Sequence, residues 1–276
     1  MTAVLPTIVT SFFDIGRTNW DTAHGFPHYV QRSTDLYFER FSYLANKVKN
    51  QMVIFTDENL VERIKDTRKV YKDSTIVVPY NFKQEHSDLL HKIAQIQQSD
   101  AYKVQINPHQ AVNPEYRIPE YVLVNWIKTH LVNEAIKKFS ITDSAAWIDF
   151  GYCRNKSDAG LSTEWNPRKL NKNLINFLAV RMYDSYRLSI NDIIFNNVVY
   201  TIGSFMYTSV DMWPNLLRLI NQSMNTLLDN SLVDDDQTIM LMSSLAEPLL
   251  FSITEVDSSN QFVGFTDNRI VGSDIT

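Results

Sequence analysis

Asp149 closes a short apolar run in "AAWIDFGYCR", and Gly151 follows two places on. A carboxylate at the end of a buried strand is a common way to hold a metal–phosphate group, and a glycine beside it lets backbone approach a phosphate closely. Asp14 in "SFFDIGR" and Asp57 in "MVIFTD" also follow apolar runs. Three such aspartates could share one crevice at the carboxyl ends of parallel strands. The same positions suit an Asx-turn or a helix N-cap. For Asp57, directly before "ENLVERI", the cap is the better reading; for Asp149, flanked by apolar residues, a functional one is. Arg17, after Gly16, could pair with a diphosphate or sit as a surface arginine. The other concentration is "DDDQT", Asp234 to Thr238. The helix dipole favours acids in a first turn, but three of them followed by Gln237 exceed what capping needs.

Several chemistries are excluded by what surrounds these residues. "IDFG" spells the magnesium motif of protein kinases, yet no glycine-rich loop precedes it and no His-Arg-Asp loop lies upstream. Neither "FFDIG" nor "WIDFG" carries the second aspartate of a haloacid dehalogenase. No phosphate-binding P-loop, dinucleotide fingerprint, G-x-S-x-G or zinc spacing occurs. The net charge of −5 has no basic cluster within it, which argues against a nucleic-acid partner. Cys153 is the single cysteine, so no internal disulfide can form, and a reducing, cytoplasmic setting is expected. The opening "MTAVLPTIVTSFFDIGR" lacks a basic n-region and reads as a first strand rather than a signal peptide, and no apolar run approaches a membrane span.

The elements that must position these groups follow from periodicity. "TIVTSFF", "MVIFTD", "STIVVP" and "SAAWIDF" read as buried strands. Between them "STDLYFERFSYLANKVKN", capped by Ser33, "ENLVERIKDTRKVY", "KQEHSDLLHKIAQIQQ" and "PEYVLVNWIKTHLVNEAIKKF" read as helices. In the last of these, Leu123, Ile127, Leu131 and Ala135 form the apolar stripe. The alternation predicts a mostly parallel sheet with helices on both faces. The second half reads differently: "YRLSI", "IIFNNVVYTIG" and "SFMYTS" as β-rich segments, then a long helix over "VDMWPNLLRLINQSMNTLLDN", a helix from "DDDQT" and a closing strand "LLFSITEV". No repeat or linker divides the chain, so one α/β domain over residues 1–276 is expected.

Four segments in order, "TIVTSFFDIGR", "YFERFSYLANKVKNQMVIFTD", "AAWIDFGYCR" and "DDDQTIM", together resemble the HtrL/YibB (WlaTC/HtrL) family of bacterial surface-polysaccharide gene clusters. That family is regarded as glycosyltransferase-like with the nucleotide-sugar GT-A fold. The resemblance implies a Rossmann-like half (1–150) for the nucleotide and a mixed, β-rich half (151–276) for the acceptor. It implies transfer of a hexose from a nucleotide diphosphate sugar, UDP-linked by analogy, to a lipopolysaccharide core, O-antigen or related glycan, with peripheral contact at the inner membrane. The alternative is a non-catalytic nucleotide-sugar or glycan-binding module on the same fold.

By that resemblance the donor would meet Thr10, Phe12, Asp14, Arg17, Asp57, Lys128, Asp149 and Gly151. Arg17 and Lys128 would take phosphate charge. Gly203 and Ser204 would face the acceptor, and Asp235, Asp236 and Gln237 would carry the catalytic step, with Asp211 and Glu247 in reserve. "IDFG" stands where the family's Asp-x-Asp motif would stand, but Gly151 replaces its second acid. Two arrangements stay open: Asp149 holds Mn²⁺ or Mg²⁺ with help from elsewhere, or Arg and Lys neutralise the diphosphate.

Overall fold

The computed structural model describes residues 4–183, 189–257 and 261–271. Three apolar runs dominated by β-branched and aromatic residues become β1 (Thr7–Phe12), β2 (Met52–Thr56) and β3 (Thr75–Pro79), paired in parallel in the order β3-β2-β1. Between β1 and β2 lies α1 (Thr34–Ala45), whose first turn is closed by Leu36 N–H donating to the Ser33 hydroxyl. α2 (Val61–Thr67) leads to β3. α3 (Phe82–Glu85), α4 (Ser87–Gln98), α5 (Asp100–Lys103), α6 (Pro119–Trp126) and α7 (Lys128–Phe139) then carry the chain to β4 (Ser144–Ile148). β4 pairs in parallel on the other side of β1.

The second half extends the same sheet. β5 (Ile175–Ala179) is followed by α8 (Ile190–Asn196), β6 (Thr201–Ser209), α9 (Trp213–Asp229), α10 (Asp236–Ala246) and β7 (Phe251–Glu255). The sheet order is β3-β2-β1-β4-β6-β5-β7. Only β6 runs against its neighbours, antiparallel to both β4 and β5, while β5 and β7 are parallel. The fold is therefore α/β on one mixed, mostly parallel sheet, as expected. Successive residues of each strand feed opposite faces. Ile8, Ile54 and Ile148 pack with α1 on one side, and Val9, Val53 and Trp147 pack with α6, α7 and α9 on the other.

Four local expectations are corrected. The "ENLVERIKDTRKVY" helix stops at Thr67, because Arg68 turns into the core and donates to the carbonyls of Ala45, the last residue of α1, and of Val48 and Asn50 just beyond it. Its guanidinium is fully buried, and burial brings it down to about 10. The helix expected from Pro119 to Phe139 breaks at Ile127, where ψ is −2°. "IIFNN" forms α8 rather than a strand, with Ser189 capping it through Asp192 N–H. Of "YRLSI", residues 186–188 lie outside the described residues and Ile190 opens α8. β5 was not anticipated at all; its Asn176 amide donates to the carbonyls of Asn171, Leu174 and Tyr207, which disguises a buried strand as a polar stretch.

Candidate functional site

The carboxyl ends of β1 and β4 diverge into a cleft, as expected where a parallel sheet meets its connections. Phe12 to Asp14 form one wall, Asp149 to Tyr152 another, and Tyr37, Tyr121 and Ser204 close it. Phe12 stacks on Phe150 at 5.0 Å and touches Tyr37 at 5.0 Å between ring centroids, so the floor is a rigid aromatic layer. Gly151 is pressed against that layer. A Cβ there would sit 3.0 Å from the Tyr37 ring, which explains the glycine by packing as well as by access.

Asp149 is the polar centre. Its N–H donates to the Ser204 carbonyl at 3.0 Å, which ties β4 to β6. Its Oδ1 receives the Trp147 indole N–H at 2.7 Å and meets Lys128 Nζ at 2.9 Å. Its Oδ2 has no hydrogen bond from a described residue, and the side chain is 36% exposed toward the cleft. A carboxylate oriented through one oxygen, with the other free, is suited to accept hydroxyl groups of a ligand.

Lys128 is part of the cleft lining, but its ammonium is already committed to carboxylates of the protein. It lies behind Asp149, almost wholly buried, and its ammonium meets three acceptors: Asp149 Oδ1, Asp236 Oδ2 at 2.6 Å and the Gly203 carbonyl at 3.0 Å. It donates hydrogen bonds to Asp236 and to the Gly203 carbonyl, and its contact with Asp149 is an ion pair. Burial works against the ammonium, but the two carboxylates outweigh it and hold Lys128 above the ordinary lysine range. The break at Ile127 puts this cation in the first turn of α7, where the helix dipole opposes it, so the carboxylates must hold it there.

This triad also explains Gly203. A Cβ on Gly203 would overlap the Asp236 carboxylate, so the glycine makes room for the ion pair and does not line the cleft. Gly203→Ala should therefore lower stability by about 1–3 kcal/mol, the usual cost of overpacking a core. Chemical denaturation checks this; an unchanged midpoint would mean Asp236 moves aside freely.

The acidic turn divides by partner. Asp234 is buried, accepts the Thr238 hydroxyl at 2.6 Å, and is pushed up to about 8 mainly by burial. Asp236 is buried against Lys128, and the net effect of burial still raises it. Asp235 caps α10 by accepting Gln237 N–H at 2.9 Å, and its other oxygen receives no hydrogen bond from a described residue. Burial, then the charges of Asp234 and Asp236, raise Asp235 well above the carboxylate range. Its charge also reaches Tyr121 on the cleft wall and buried Glu115, itself pushed up to about 8 chiefly by burial. Gln237 caps nothing with its side chain, but its carbonyl accepts the Thr201 hydroxyl at 2.7 Å.

Other expected residues fall differently. Thr10 is buried in β1 and lies outside the cleft. Asp57 does not cap the following helix; its Oδ2 accepts Asp14 N–H at 2.7 Å and fixes the end of β1 from behind. Asp14 does line the cleft, with one oxygen on Gly16 N–H and the other on the Thr34 hydroxyl. Ser204 lines it too, and its buried hydroxyl has no partner. Asp211 and Glu247 do not line it, and Glu247 pairs with Arg218 at 2.7 Å.

Sequence reading missed most of the cleft's positive charge. Arg17, Arg32 and Arg154 all line it. Arg17 is clamped by Val30 O and Tyr37 Oη and held among the rings of Trp20, Tyr37 and Tyr121. Arg154 follows Gly151 by three places within the quoted motif, so its neighbourhood was legible even though its direction was not. A divalent cation, which the GT-A resemblance would place at Asp149, prefers several oxygen ligands. Both oxygens of Asp14 and one of Asp149 are already engaged. No group of three or more His, Cys, Asp and Glu side chains among the described residues could hold a metal. Of the Asp14 and Asp149 oxygens, only Asp149 Oδ2 is free of hydrogen bonds from described residues, so the chain by itself offers no multidentate metal cage.

Among the described residues, no helix is long and apolar enough to cross a membrane. Residues 5–267 match the model of a family described as "Bacterial protein of unknown function (HtrL_YibB)". Protein HtrL of Escherichia coli (strain K12) is 33% identical over 258 residues, covering 93% of this chain and 90% of that one. Among solved structures, apo mouse xyloside xylosyltransferase 1 gives a TM-score of 0.45 at 11% identity, over 90% of this chain and 84% of that one. The PaToxG glycosyltransferase gives 0.35 at 10% identity, over 89% and 70%.

Proposed function

The chain belongs to the HtrL_YibB family, and from that premise we propose that it is a glycosyltransferase that moves a hexose from a nucleotide diphosphate sugar to a bacterial surface glycan. One observation carries the reading. A protein of net charge −5 holds a cleft lined by Arg17, Arg32 and Arg154 at the carboxyl ends of its parallel strands, with the free oxygen of Asp149 beside them. That combination suits a ligand bearing both phosphate and hydroxyl groups.

In the proposed reaction the bond between the anomeric carbon and the diphosphate oxygen breaks, and its electron pair leaves with the diphosphate. Negative charge grows on that leaving group, where fixed cations stabilise it most. The acceptor hydroxyl oxygen forms the new bond to the anomeric carbon and loses its proton to a carboxylate. Asp149 Oδ2 accepts hydroxyls of the donor, and Asp235, which does not line the arginine cleft but whose charge reaches Tyr121 on its wall, offers a free oxygen to the acceptor's proton. Tyr37 and Tyr121 offer ring faces and edges beside the phosphates.

A uridine diphosphate sugar is the donor we favour, and a lipopolysaccharide core or O-antigen sugar the acceptor. Calorimetry with UDP, GDP, TDP and CMP should give one preference, with UDP bound at least about tenfold more tightly than the rest. Equal millimolar binding of all four would remove the donor site. Binding of UDP and UDP-sugars without transfer to any glycan, and without slow hydrolysis to water, would leave a non-catalytic binding module.

A further inference from the structure

We propose that the cleft binds the diphosphate of its ligand directly through Arg32 and Arg154, with Arg17 and Arg40 behind them, and without a bridging divalent cation. The inference rests on the donor reading above and specifies how that site handles charge.

The geometry is unusual for arginines. The described residues place no carboxylate in ion-pair contact with the guanidinium of Arg32, Arg40 or Arg154, although Asp149 opens into the same cleft. Arg154 instead lies over the Phe262 ring, 4.7 Å from its centroid, which fixes the guanidinium plane without neutralising it. Arg40 comes within 3.9 Å of where a Cβ on Gly151 would stand, just behind the motif, and its buried Nε has no partner. Arg17, by contrast, has its Nε and one N–H from each terminal nitrogen spent on Val30 O and Tyr37 Oη, so it adds fixed charge more than a free fork.

Like charges gathered this way repel. Burial lowers Arg154 to about 10, with Arg32 and Arg40 adding to the shift, and Arg40 is lowered by burial and then by Arg32. A folded protein retains such a cluster at a cost in stability unless an anion relieves it. Guanidinium groups match phosphate oxygens in bidentate geometry, so two or three of them can spread the charge of a diphosphate that a metal ion otherwise bridges. The carboxylate set beside them is a poor metal site, because Asp14 is hydrogen-bonded through both oxygens and Asp149 is tied through Oδ1 to Lys128 and Trp147, which leaves one oxygen free. Both observations point the same way: the positive charge at this site is built into the chain.

The test is calorimetric titration of the full-length protein with inorganic pyrophosphate and, separately, with UDP, each in EDTA and each with added Mn²⁺. Arg32→Ala and Arg154→Ala are the variants, and Arg218→Ala on α9 is the control. Thermal melts establish that each is folded. Pyrophosphate should bind the native protein in EDTA, and each cleft variant should weaken it by about tenfold while the control does not. Affinity should fall steeply with salt, because exposed ion pairs are screened. Added Mn²⁺ should not tighten binding. Binding of UDP only with Mn²⁺ would overturn the inference and leave the glycosyltransferase reading intact. Arginine-dependent binding of pyrophosphate with no binding of any nucleotide would keep the anion site and remove the donor reading. Folded cleft variants that bind pyrophosphate like the native protein would also overturn the inference.

Discussion

Lys128→Met should destabilise the protein by about 3–5 kcal/mol at neutral pH, the usual effect of removing one partner of a buried ion pair. Methionine fills much of the lysine stem's volume, so the loss is mainly electrostatic. Asp236, whose side chain is 8% exposed, would then face the core without a cation. The Gly203 carbonyl would lose its donor as well. The pH dependence follows from sign. Asp236 is already raised in the folded protein by burial, and removing Lys128 removes an influence that lowers it. A carboxyl whose folded pKa lies above its unfolded value favours folding most when it is protonated. The deficit of the variant should therefore shrink as pH falls from 7 toward 5 and grow again as pH rises. Denaturant melts across that range measure it. Combining Lys128→Met with Asp236→Leu should recover much of the loss, because neither member then leaves a buried charge behind. A deficit under about 1 kcal/mol, or one that does not change with pH, would mean that water reaches the triad and that it holds nothing together.

That triad shows where the sequence stops being legible. By the resemblance Lys128 takes phosphate charge, and Asp236 is one of three adjacent acids, but they stand 108 residues apart and nothing local joins them. The resemblance therefore points to phosphate contact for a lysine whose ammonium is already paired with two carboxylates of the protein. The same holds at Ile127, where Trp126 Nε1 donates to the Asp234 carbonyl 108 residues on, so the helix break belongs to a tertiary contact. What local chemistry decides was readable: the fully buried runs of β2 and β4, the Ser33 cap and the stripe Leu123, Ile127, Leu131 and Ala135, all four buried. α8 went the other way. Its β-branched "II" pair suggested a strand, but Ser189 at the cap and Asp192 in the first turn are helix-start signals that fit the structure better. The cleft arginines were hidden for another reason. Arg32, just before α1, and Arg154, in the loop after β4, line the cleft from distant parts of the sequence, and Arg40 on α1 stands behind Gly151.

Asp235→Asn should reduce transfer by about two to four orders of magnitude, the range expected when a general base is lost, while leaving stability within a few tenths of a kcal/mol. The separation is possible because asparagine caps helices about as well as aspartate does. Gln237 N–H would still find an acceptor at the start of α10, so a capping role survives the change. The neighbours behave otherwise. Asp234→Asn keeps an oxygen for the Thr238 hydroxyl and relieves crowding, so transfer should stay near normal. Asp236→Asn breaks the contact to Lys128 and should show first as lost stability. The pH profile gives a second readout. Asp235 acts as a base only when ionised, and burial with its two acidic neighbours raises it well above the carboxylate range. The rate in the native protein should therefore rise with pH through a limb displaced upward from that range, and Asp235→Asn should lose the limb along with the rate. Donor binding, measured separately, should persist, since Asp235 does not line the cleft that holds the arginines. Normal transfer by a well-folded Asp235→Asn protein, with the limb unchanged, would reduce the turn to a helix cap. The acceptor's proton would then have to go to the free oxygen of Asp149, the one carboxylate oxygen in the cleft with no hydrogen-bond donor among the described residues.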